Sequence, residues 1–112
     1  MSYHHKELAS GRWKELSLVE QMANIGSEVG RAMRWRTKGN TEFAQRAAVR
    51  ALELLDLSLD AGHSYSQLKE LARVREAVVD YLFGSNEFAS SEALWRSYFD
   101  HFNYAARVDR TG

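Results

Sequence analysis

Apolar residues recur every three or four positions along four separate stretches of this chain. At about 100° per residue, that spacing gathers them on one face of a helix. In the first stretch the stripe is Leu18, Met22, Ile25, Val29, Ala32 and Met33. Ser17 and Glu20 stand ahead of it at capping-box spacing, where each side chain serves the other's backbone N–H. Gly39 supplies the stop. Ala23, Gly26 and Gly30 flank the stripe. Two glycines inside a helix cost about 1 kcal/mol each relative to alanine, so a neighbouring helix is expected to approach closely there.

The second stretch runs from Thr41 to Ala61, with Asn40 or Thr41 as its cap. Ala44, Ala47, Ala48, Ala51, Leu54, Leu55 and Ser58 face one way. Small residues dominate the upper half of that face, so this helix also packs close. Val49, Leu52 and Leu57 fall outside the stripe. One helix of a four-helix monomer needs less apolar width than that. The surplus predicts self-association or a docked partner protein.

The third stretch, Leu68 to Phe83, lies between a Ser64/Gln67 capping box and Gly84. Its stripe reads Leu68, Leu71, Ala72, Val78, Val79 and Leu82, with Arg75 in the middle. Burying that guanidinium unpaired would cost on the order of several kcal/mol, so the fold is expected to bring it a carboxylate. Counting rise along the helices places Glu28 and His101 near the same height, about 15 Å up. A structural polar layer of Arg75, Glu28 and His101 is therefore expected, with Glu28 as the first partner. Glu53 reads as lying on the polar side of its helix.

Ser90 or Ser91 caps the fourth stretch, which ends near Val108. Leu94, Trp95, Tyr98, Phe99, Phe102, Ala105 and Ala106 give it an aromatic face. Large rings there complement the small residues of the first two helices. Four helices of about 18–20 residues joined by short turns predict an all-α fold, an up-down-up-down antiparallel four-helix bundle over residues 17–110. Residues 1–16 form a lead-in whose Trp13 packs onto the body.

Bulk composition narrows this picture. The chain has 112 residues, enough for one modest core. It has no proline, which suits helices joined by short turns, and no cysteine, so no disulfide or thiolate site. No apolar run approaches the ~20 residues of a membrane span, and the N-terminus has no signal-type apolar core, so a cytoplasmic location is expected. His4 and His5 are adjacent and share no helix face, which reads as surface rather than a metal site. Glu-x-x-His, a phosphate loop and a serine elbow are all absent, and no cofactor is expected.

Net charge is zero, from 15 basic and 15 acidic residues. That argues against a general nucleic-acid binder. A local basic, aromatic run does exist: Arg31, Arg34, Trp35, Arg36 and Lys38, continued by Arg46 and Arg50. It is a candidate phosphate or RNA contact. In a bundle, however, the same pole would carry Glu76, Asp80, Glu87 and Glu92, which are expected to neutralise it.

Arg96 and His101 stand as Arg, four residues, His. This resembles the signature of the HEPN superfamily of small helical bundles. Many of its members are metal-independent ribonuclease toxins paired with nucleotidyltransferase antitoxins. The resemblance implies that Arg96 would hold the scissile phosphate and His101 would move the proton, using two subunits. Ser97 departs from the Asn, His or Asp usual in that family.

YLFGSN (Tyr81 to Asn86) is similar to the Leu-Phe-Gly-Ser element of minimal nucleotidyltransferases, but no Asp-x-Asp follows Gly84. Lys38 to Leu59 resembles part of a tetratricopeptide repeat, without a second copy about 34 residues away. Across almost its whole length, in SLVEQMANIGSEVGRA, RALELLDLSL, LKELARVREAVVDYLFGSNEF and YFDHFNYAAR, the chain resembles short bacterial all-helical proteins that carry no assigned activity.

The leading expectation is a non-catalytic, self-associating helical-bundle adaptor with a partner protein. The alternative is the HEPN-like ribonuclease.

Overall fold

The structure, a computed structural model, describes the backbone of residues 11–111 and side chains through Val108. The readings of His4 and His5 lie outside the described residues. The described chain is all helical: α1 Trp13–Glu15, α2 Leu18–Thr37, α3 Thr41–Leu59, α4 Tyr65–Leu82 and α5 Glu92–Thr111. The long helices have 20, 19, 18 and 20 residues.

Their starts follow the local chemistry of the sequence. Ser17 with Glu20 and Ser64 with Gln67 both form complete capping boxes. The Asn40 side chain accepts from Phe43 N–H, and Ser91 Oγ accepts from Leu94 N–H at 3.2 Å.

Helix α2 packs against both α3 and α5, and α3 packs against α4. Small residues set the first of these approaches, since Ala32, Ala47 and Ala48 are all buried together. At the α2–α5 contact, Gly26 meets the ring of Phe99: a Cβ on Gly26 would stand 2.6 Å from Phe99 Cγ. The main core joins Met22, Ile25, Val29, Leu54, Leu55, Leu71, Val78 and Phe99.

The lead-in closes one end of this core. Trp13 is 1% exposed, and its indole N–H donates to Ser58 Oγ at 2.9 Å. Gln21, fully buried, holds the turn after it, with Nε2 donating to the carbonyls of Trp13 (2.9 Å) and Leu16 (3.2 Å). Its Oε1 lies 2.7 Å from His63 Nε2.

Three readings of the pattern are corrected. First, α4 buries Leu71, Val74 and Val78, while Ala72 is exposed. Including Val74 turns the buried face away from Arg75, which lies on its flank. Arg75 Nε pairs with Asp56 Oδ1 at 2.7 Å, the two side chains being 39% and 44% exposed. The layer of Arg75, Glu28 and His101 does not form, because Glu28 is held instead by Arg31 and Arg50 and His101 is exposed.

Half-exposed ion pairs contribute little, so Arg75→Ala should cost only about 0–1 kcal/mol in urea unfolding. A loss of about 3–5 kcal/mol would instead mark a stranded buried carboxylate.

Second, Leu52 and Leu57 pack against the core, which leaves only Val49 of the surplus on α3 exposed. Third, Glu53 is 7% exposed rather than on a polar face.

The segment between α4 and α5 is tightly bonded. Both Asp80 carboxylate oxygens accept from backbone N–H groups, those of Glu87 (2.7 Å) and Phe88 (3.0 Å). The Asn86 side chain brackets Ser90, accepting from its N–H at 2.8 Å and donating to its carbonyl at 2.9 Å. Asn86 and Ala89 sit at φ 59° and 54°, the left-handed region that side chains other than Asn and Asp seldom adopt.

Candidate functional site

Helices α4 and α5 do not approach as α2 and α3 do. Between them lies an open groove of about 750 Å³, with Val74, Ala77, Leu94, Trp95 and Tyr98 among its walls. Rings line its α5 side, and Tyr81 of α4 reaches the Trp95 ring at 6.4 Å between centroids. Trp95 stacks on Phe99 (5.7 Å between centroids), and Tyr98 meets Trp95, Phe99 and Phe102 edge-on.

Tyr98 bridges the groove, its hydroxyl donating to Glu70 on α4 at 2.9 Å. Burial first, and then the Glu70 carboxylate, push that hydroxyl's pKa far above its ordinary value. It therefore stays a neutral donor. The indole N–H of Trp95 is buried without a hydrogen-bond partner among the described residues. Leu94, expected on the buried aromatic face, is 62% exposed at the groove's edge.

The groove escaped the periodicity reading because its α4 wall carries Ser66, Lys69 and Arg73 beside Val74 and Ala77. Such residues read as a solvated face. The available signal was Val74, whose inclusion rotates the α4 stripe towards this wall.

The basic run folds onto its own neighbours. Glu28 accepts from Arg31 and from Arg50, each at 3.2 Å, and Arg46 pairs with Glu42 at 2.7 Å. Arg36 donates to the Tyr81 carbonyl and lies over its ring at 5.2 Å. Lys38 lies over Trp35, and Arg46 over Phe43. Neutralisation was expected from Glu76, Asp80, Glu87 and Glu92, but Glu28 and Glu42 supply it. Asp80 is occupied by the α4–α5 segment.

Arg34 has no ion-pair partner among the described residues. It lines a second, polar groove between α2 and α5 together with Arg96.

Arg96 pairs with Glu92 at 3.2 Å, and His101 rests edge-on against Phe102. Five residues apart is about 140° around a helix. Within one chain the two side chains do not converge.

Among the described residues no group of three or more His, Cys, Asp or Glu could hold a metal ion. No described helix is long and apolar enough to cross a membrane. No family model, curated protein or solved structure matches the chain.

Proposed function

We propose that this chain is a non-catalytic interaction protein, a cytoplasmic adaptor that self-associates and offers its α4–α5 face to a partner protein. The observation that carries the reading is where apolar surface remains. The interior closes by small-against-large packing. Of the large apolar side chains left exposed, three lie on α5: Leu94 at 62%, Tyr104 at 65% and Val108 at 47%. Two more, Phe83 and Phe88, lie on the segment that leads into it, with Phe43, Val49 and Tyr65 elsewhere.

His101, Tyr104, Ala105 and Val108 follow i, i+3, i+4, i+7 spacing, one face of the last turns of α5. Among the described residues Asp100 and Arg107 flank that face without lying on it, so two copies can meet along it without opposing like charges. The finer topology belongs to the same proposal. Gln21 reaching His63 at one end, and Arg36 reaching Tyr81 at the other, support an up-down-up-down antiparallel bundle.

Light scattering at rising concentration should show mass doubling, and Tyr104→Asp should restore the monomer. A monomer at every concentration would end the self-association. The same preparation should leave RNA intact. Cleavage lost in His101→Ala would hand the assignment to the Arg96/His101 ribonuclease.

A further inference from the structure

We infer that the α4–α5 groove receives an amphipathic helix of another protein, one that flanks its apolar ridge with carboxylates. This rests on the interaction reading and names the partner's chemistry. The groove's floor and outer edge are apolar: Val74, Ala77, Trp95 and Leu94. Its α4 wall extends from Ser66 to Ala77, about 16 Å along the helix axis, or three turns. That suits a helix laying down apolar side chains at i, i+3 or i+4, and i+7.

Charge selects among such helices. Lys69 and Arg73 line the α4 wall and are exposed. Neither has an ion-pair partner among the described residues. Glu70, the carboxylate in the same wall, is already engaged by the Tyr98 hydroxyl. The α5 wall contributes Ser97, Leu94 and Tyr98, none of them charged.

The charged lining of the groove is therefore Lys69 and Arg73 against the single carboxylate of Glu70, a net positive charge confined to one rim. Lys69 and Arg73 are one turn apart, about 6 Å along the axis. A partner with carboxylates at i and i+4 on the side facing α4 would meet both. Its other flank would need to be small or uncharged to pass Ser97. The one-sided rim thus fixes which way round the helix lies as well as its charge.

The test uses the full chain and three designed 18-residue peptides followed by fluorescence anisotropy. Two share one leucine ridge, flanked by Glu in the first and by Lys in the second. The third keeps the Glu content with its leucines scrambled off one face. The Glu-flanked peptide should bind at least about tenfold tighter than the Lys-flanked one, and the preference should shrink as salt rises. The scrambled peptide should not bind. Lys69→Glu with Arg73→Glu, both exposed and thus compatible with folding, should reverse the preference, as circular dichroism confirms the helix content unchanged.

Equal binding of both ridge peptides, binding of the scrambled peptide, or indifference to the charge reversal would overturn the inference. So would loss of self-association in the charge-reversed variant, which would give the groove to a second copy. If no peptide binds, this inference fails. If the protein is also a monomer by light scattering, the interaction reading fails with it.

Discussion

Trp13→Ala is expected to lower the unfolding free energy by about 3–5 kcal/mol, the range for deleting a large buried aromatic side chain. The side chain is 1% exposed, and no other part of the short α1 is buried. Its removal opens a cavity against the ends of α2 and α3. It also takes the donor from Ser58, whose side chain is fully buried, at a further cost of about 1–3 kcal/mol if water does not replace it.

A domain of this size has about 5–15 kcal/mol in all, so the variant should be near the edge of folding at 37 °C. Urea unfolding followed by circular dichroism, which does not depend on the lost indole, reads the change. Trp13→Phe separates the two contributions by keeping most of the ring and losing the N–H. If Trp13→Ala unfolds like the parent, the lead-in is not part of the cooperative unit.

The second large effect is at Gly26. A Cβ there would lie 2.6 Å from Cγ and 2.7 Å from both Cβ and Cδ1 of Phe99. Phe99 Cβ is fixed by the backbone and no rotamer change can clear it, so α2 and α5 must separate. Overpacking of this kind costs about 1–3 kcal/mol, against which alanine gains about 1 kcal/mol in helix propensity. Gly26→Ala should therefore be destabilised by up to about 2 kcal/mol in the same urea experiment.

Gly30→Ala is the internal comparison. Its Cβ would meet only the Arg34 guanidinium, at an ordinary 3.5 Å. It should be neutral or more stable by up to about 1 kcal/mol. If the two variants behaved alike, the α2–α5 contact would not be what requires Gly26.

The contrast between these glycines shows what the sequence can and cannot express. Both were legible as unusual, because glycine inside a helix is unfavourable wherever it falls. Which one faces a ring depends on the rotation of α2 relative to α5, a relation between elements distant in the chain. The helix starts were legible for the opposite reason: Ser17 and Glu20, or Ser64 and Gln67, act within one turn.

Arg75 was misplaced by a single position. A stripe drawn through Leu68, Ala72 and Val79 has Arg75 at its centre, and a stripe drawn through Leu71, Val74 and Val78 has it at the border. Neighbouring positions on a helix differ by about 100°, so one wrong member rotates the whole face. Asp56 then becomes the reachable carboxylate. The surplus apolar width read on α3 does not exist, since only Val49 of its three members is exposed. Leu52 and Leu57 looked unpartnered only because the arc of core covering α3 was unknown. Of the groove only its α4 wall was legible, through Val74, since the opening exists only through the separation of α4 and α5.

The bonds of Asp80 and Asn86 bear on how that groove would bind. They tie the backbone between α4 and α5 at Glu87, Phe88 and Ser90, with left-handed residues at Asn86 and Ala89. At that end the spacing of the two walls is set when the chain folds. An incoming helix would meet walls already spaced at that end, so less conformational freedom would be left to lose on contact there. Docking then resembles the meeting of rigid bodies, with an association rate in the range of about 10⁵–10⁷ M⁻¹s⁻¹ that needs no prior opening of the cleft. Differences in affinity among partners would accordingly lie in how long each one stays.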